Sequence, residues 1–572
     1  MYSKHLGLLL LLALFARCQN PVPEIVEGSL PVIMCGAPVS DAEWYKVNQK
    51  APLLPGLNAV HFPVSTTDTL VQRYFDQGLV LAYGFNHAEA ARSFYYASKL
   101  DTSCAMGYWG YAYVLGPNYN GGMEPDHYSR AYSAIQQALQ LAKKRSTGKE
   151  QALINALAQR YPREAVEDRK PFDEAYAAAM KAVYGKYPDD ADIGTLYAEA
   201  LMNLHPWDLW ETSGEPKPWT PEIVQTLEHI IQTSPKHPGA HHFYIHAVEA
   251  SQAPSRGIAS ARLFDEDLVP GSGHLVHMAS HIYIRTGDYH LGTLSNIRAV
   301  EADSSYTTLC HAQGVYPLSY YPHNYHFLTA TATLEGNSHY AIEGALKMAD
   351  YVDKEVMKQP GWGTLQHYFI IPYFVYVKLG KWDEILAMPA PDTALFYPQA
   401  IRHYARGMAF LGKRDLSAAK NELAALEMSL SDDRLRELTI WDINSTYDLV
   451  QIAYRVLKGE LLDREGNFTE SIQLLKEAIA LEDRLNYNEP PDWFFSVRHH
   501  LGAVQIEAGA PQDAILTLQE DLKNFPKNGW ALHGLKRAYE QLGAQDSVKQ
   551  MEGLLADAWA TADITLESSC IR

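Results

Sequence analysis

One spacing limits what this chain can fold into. Gly78 is followed by Ala90, Phe94 and Ala97, at offsets of +12, +16 and +19. The same offsets recur as Gly407, Ala419 and Leu423, as Gly459, Ser471, Leu475 and Ala478, and as Gly502, Ala514 and Leu518, with Pro526 closing the last set. Around these positions the apolar residues return at helical intervals in stretches of about 12–16 residues separated by short turns. Alternating strand patterns are lacking. The 572 residues can bury a large core, and with 47% hydrophobic and 20% charged residues the chain is not of the disordered class. A formal net charge of −19 argues against nucleic acid or an anionic membrane as its main partner.

The grid resembles the tetratricopeptide repeat. In that family the small residues lie where paired helices A and B approach closely, and a bulky residue there would push them apart. The resemblance covers about 67–560 and implies an all-α, TPR-like α-solenoid, a superhelix of antiparallel helix pairs. Helix pairs at about 170–205, 238–266, 274–302, 324–350 and 364–385 fit with shifted spacing. Residues 19–66 are rich in Pro, Val and Gly and read as an extended lead-in, and 561–572 as a C-terminal tail. At the start, Lys4 and His5 precede the apolar run Leu6–Phe15. That makes 1–18 a signal peptide, and Cys18 a candidate lipidation site despite the unfavourable Arg17. The expectation is an exported protein, secreted, periplasmic or lipid-anchored, with no transmembrane segment after signal removal. Cys35, Cys104, Cys310 and Cys570 are either free thiols or disulfide partners.

Histidines supply the chemistry. Eight of the 23 fall within 237–290, where an even spread would place about two. His242, His246 and Glu249 stand at i, i+4, i+7, and His274, His277 and His281 at i, i+3, i+7. Each set returns to one helix face. Imidazole and carboxylate are ligands that zinc, copper and iron share. We therefore expect a transition-metal site shared by two neighbouring helices, at roughly 8–10 Å between axes. His323, His326 and His367 are secondary candidates on later helices. The repeat resemblance implies that His274, His277 and His281 face the concave groove. His241 reads as structural, lone histidines such as His87, His205 and His403 as packing, and His499 and His500 as packing or surface.

The HxxxH of His242 and His246 lacks the glutamate of a zincin, since Phe243 follows the first histidine. Phosphate-loop, dinucleotide-binding and G-x-S-x-G fingerprints are missing too. The loop Gly116-Pro-Asn-Tyr119-Asn120-Gly-Gly, after the aromatic run 108–113, is a candidate binding loop. Two functional readings stay open: a metalloprotein, enzymatic or not, or a scaffold that binds a peptide or protein in the groove while the histidines are structural. The chain also looks like an exported branch of tetratricopeptide proteins that carries HHxxxHxxE and HxxHxxSHxYxRxG segments together.

Overall fold

A computed structural model describes residues 42–46, 49–310 and 316–572. The signal segment, Cys18 and Cys35 lie outside the described residues, as does the side chain of Cys310. Among its described residues, the unit spanning 37–572 is all-α apart from a short hairpin of two-residue strands, Thr439–Ile440 with Asn444–Ser445. Its helices pack in successive pairs, such as Thr69–Tyr83 with His87–Leu100, and Thr446–Arg464 with Phe468–Glu482. Among the described residues no helix is long and apolar enough to cross a membrane.

Three of the four grid units work as sterics require, while Gly407 meets Leu457 of a later helix instead of Leu423. A Cβ on Gly78 would come within 2.8 Å of the Phe94 ring, on Gly459 within 3.0 Å of Leu475, and on Gly502 within 2.8 Å of Leu518. In each case the small residue of one helix receives the large residue sixteen positions on, and this is where the pair closes. At 170–205 the expected helices pack on each other, Lys170–Lys186 against Ala191–Met202, and Ala191–Met202 packs in turn on Thr220–Thr233.

The described lead-in residues 49–66 and the tail are parts of the core. Ala51 and Phe62 are buried, and Tyr74 donates its hydroxyl to the Ala51 carbonyl at 2.8 Å. The C-terminal helices dock onto the middle of the chain. Trp530 donates Nε1–H to the Thr333 carbonyl at 2.9 Å, Tyr289 donates its hydroxyl to Pro526 at 2.8 Å, and Asp563 accepts from the amides of Ser338 and His339. Two large apolar clusters result. One is built from 51–320, the other from 284–571, and they meet near Ile282, Ile284 and Phe327. The histidine blocks lie at that seam.

Candidate metal centre

The first block occupies the helix Pro238–Val248, whose eleven residues are all buried. Pro238 sits in its first turn, and the His237 side chain caps it by accepting from the Ala240 amide. Gly239 lets it press against the helix Thr69–Tyr83, since a Cβ there would meet the Tyr83 ring at 2.6 Å. That approach brings His242 Nδ1 to 2.5 Å from the Tyr83 carbonyl oxygen.

The second block begins at Ser272, whose side chain accepts from the Leu275 amide. It runs through Gly273–His277 and Ala279–Thr286, with Met278 still right-handed helical at the junction, and stops at left-handed Gly287. His274, His277 and His281 therefore keep one face. His323 comes from the next first-helix of a pair, Tyr321–Leu334.

These side chains converge. His242, His246 and His274 bring ligand atoms within 4.8 Å of one another, as do His277, His281 and His323, and as do His246, Glu249 and His281. Their hydrogen bonds determine which nitrogen carries the proton. The Tyr83 carbonyl can only accept, so His242 donates from Nδ1. Asn296 spends its amide NH2 on the Gly292 carbonyl at 2.7 Å and presents Oδ1 to His277 Nδ1 at 2.8 Å, so His277 also donates from Nδ1. Glu249 has one oxygen 2.7 Å from His246 Nδ1 and the other 2.5 Å from His281 Nδ1. Burial alone would raise this carboxyl, but His281 and His246 outweigh it and hold it at about 2. As a carboxylate it only accepts, so both imidazoles donate from Nδ1.

With Nδ1 so engaged, His242, His246, His277 and His281 each have Nε2 left as the possible ligand atom. His277 Nε2 and His281 Nε2 lie 2.9 Å apart, and His242 Nε2 and His274 Nε2 3.2 Å apart. His246 Nε2, His274 Nδ1 and His323 Nδ1 are buried with no hydrogen-bond partner. Burial, reinforced by neighbouring imidazoles, holds His242, His274, His277 and His323 well below the usual histidine range.

Aromatic rings close the site. Phe85 lies against His242, His246 and His274 at 4.5, 6.0 and 5.8 Å between ring centroids, and Phe327 against His277, His281 and His323 at 4.7, 4.4 and 5.1 Å. Tyr119 of the candidate loop and Trp207 both pack on His246, and the Trp207 indole donates to Asn120. Tyr320 covers His274.

The expectation of groove-lining residues needs correction. His242, His246, His274, His277 and His281 are at most 2% exposed, and only His323 of the six imidazoles is half-buried. Aromatic rings of Phe85, Tyr119, Trp207, Tyr320 and Phe327 cover these imidazoles, so a peptide finds no open surface at the five buried ones. Glu249, taken from sequence as a ligand, has both oxygens engaged by imidazole Nδ1 atoms. His326 and His367 form a pair of their own, with centroids 5.5 Å apart, and His367 Nδ1 faces the Tyr397 hydroxyl.

His241 bonds Ser260 and the Pro235 carbonyl, His205 stacks on Trp219, and His403 bonds Glu422, all packing roles. His499 and His500 are buried in ionic networks with Lys378, Asp521 and Glu460, not at the surface. Cys104 and Cys570 are free and buried. Sequence reasoning missed Asn296, the Tyr83 carbonyl, Phe85 and Phe327. Phe85 alone left a signal, because it occupies a turn position that most later units give to glycine.

No protein-family model matches the chain, and no curated protein does. Solved helical-repeat structures are similar to it at low identity. A human IFIT1 dimer with PPP-AAAA shares 11% identity, covering 85% of this chain and 90% of that one, at a TM-score of 0.31. Yeast Tom70 shares 12%, covering 87% and 93%, at 0.27. The Cut9–Hcn1 hetero-tetramer of the APC/C shares 14%, covering 87% and 81%, at 0.29. Likeness of this degree transfers neither ligand nor partner, and the chain's function has to be argued from its own imidazoles.

Proposed function

We propose that this chain is an exported metalloprotein whose helical repeats enclose a transition-metal centre held by His242, His246, His274, His277, His281 and His323. Glu249, Asn296 and the Tyr83 carbonyl are the positioning groups behind those ligands. One observation carries the reading. His277 and His281 both donate from Nδ1, so two Nε2 lone pairs face each other at 2.9 Å. Two lone pairs repel at that distance unless a cation lies between them. A metal ion is the cation that His277, His281 and His323 can all share, whereas a proton would join only two of them. The spacing suits one: with bonds of about 2.0–2.1 Å, two nitrogens on the same ion stand about 2.9–3.4 Å apart. Donation of the second ring N–H to a carboxylate or carbonyl is also how metal-bound histidines are commonly oriented.

Elemental analysis of the untagged mature protein tests this. We expect at least about one equivalent of zinc, copper or iron per chain after dialysis. His246→Ala and His277→Ala should lose that metal and keep their far-UV circular dichroism. Protein that arrives metal-free, and takes up none of the three ions on titration, is a scaffold with a polar imidazole core.

A further inference from the structure

The six imidazoles form two sets of three. His242, His246 and His274 make one, and His277, His281 and His323 the other. They adjoin: His246 and His281 have ring centroids 5.3 Å apart, and His274 and His277 5.7 Å. Glu249 holds one histidine of each set, so a single carboxylate fixes both sets in mutual register. Sites this close would seat two ions within reach of one small molecule.

The charge available is small. Among the described residues, Glu249 alone puts a carboxylate oxygen within ion-pair distance of the six imidazoles, and both its oxygens lie on the Nδ1 side. Two divalent ions would bring four positive charges into this interior, against the Glu249 carboxylate and, farther off, the Glu489 carboxyl that acts on His281. Two cuprous ions bring two. The cost of burying an ion grows with the square of its charge, and aromatic walls of Phe85, Phe327 and Tyr320 offer little solvation. Hydrolytic zinc pairs need a bridging or terminal oxygen ligand as well as water, whereas copper binds well to imidazole alone. His323, the most exposed of the six, lies beside Trp441, and the burial of the other five suits a small neutral molecule better than a charged substrate.

Building on the metal reading above, we propose that the two triads hold a pair of cuprous ions that binds and reduces dioxygen. Each cuprous ion gives up one electron. Dioxygen takes both and becomes peroxide between the two resulting cupric ions, with its O–O bond kept and no proton consumed.

The test starts from metal-stripped full-length protein under argon. It is titrated with copper(I) against bathocuproine disulfonate, with zinc(II) as the competitor. Two copper(I) per chain are expected, with zinc displaced. Addition of oxygenated buffer in an oxygen-electrode cell should then consume one dioxygen per two coppers. His323→Ala removes the most exposed ligand, whose Nδ1 makes no hydrogen bond, and so disturbs packing least. It should bind one copper and take up dioxygen at least tenfold more slowly, with its helical signal unchanged. Zinc retained in preference to copper(I), or two copper(I) bound with oxygen uptake at the buffer rate, overturns the proposal while leaving a metal centre standing. Absence of any bound metal overturns both.

Discussion

Phe85 stands two residues before the second helix of its pair, with φ of +55°. The corresponding positions later in the chain are Gly287, Gly336, Gly380, Gly466, Gly509 and Gly543, with φ between 64° and 81°, and in one unit Arg414. A left-handed phenylalanine costs about 1–2 kcal/mol, and the chain accepts that strain where the ring shields three imidazoles. Truncation to Phe85→Ala should cost about 3–5 kcal/mol. Phe85→Gly should be about 1 kcal/mol more stable than the alanine variant, although glycine is the smaller residue, because it relieves the strained φ. Urea unfolding of the two variants measures this, and an alanine variant at least as stable as the glycine one would sink the strain argument.

The helix Pro238–Val248 is an element positioned by contact more than by propensity. Its first turn lies on Tyr83, whose hydroxyl donates to Asp192 at 2.7 Å and whose carbonyl receives His242. Gly239→Ala would ordinarily stabilise a helix interior by about 0.5–1 kcal/mol. Here the added methyl meets the ring where it joins its Cβ, not at a yielding tip. The variant should lose about 1–3 kcal/mol, read as a lower denaturant midpoint. A raised midpoint would mean that the two helices can part without cost. The same dependence on neighbours explains a sequence-level gap. The helical spacing of both blocks was legible, but that Glu249 spans His246 and His281 follows from how two helices stack.

For the whole molecule, the docked C-terminal segment brings a second ionic cluster inside. Glu460 accepts from His500 at 2.7 Å and from Arg572 at 2.9 Å, and Arg572 also pairs with Asp463. Burial would raise the Glu460 carboxyl, but Arg572 and His500 outweigh it and hold it at about 2, below its ordinary 4.5. Its contribution to stability is therefore present above pH 4.5 and lost as pH falls toward 2. Burial pushes His500 down, but Cys570 and Glu460 raise it to about 9, above its ordinary 6.5. Its contribution is complete below pH 6.5 and lost as pH rises through 9. The melting-temperature gap between the native chain and Glu460→Gln should thus be widest between about pH 4.5 and 6.5. A gap that stays constant from pH 3 to 10 would remove this cluster from the stability account.

The amino-acid order alone determined the helical class, because small residues at +12 and +19 and a large one at +16 permit helix pairs and little else. It also determined that His242 and His246, and His274, His277 and His281, share faces, since a helix returns every 3.6 residues whatever surrounds it. It ranked His323 with His326 and His367, because spacing within one helix does not say which face meets a neighbour. Only the tertiary structure separated them, placing His323 with His277 and His281 and turning His326 toward His367. Burial of the site, its Phe85 and Phe327 walls and the outward turn of Glu249 likewise come from contacts far apart in sequence. They depend on how pairs stack and on where the C-terminal helices dock, and no local periodicity encodes either.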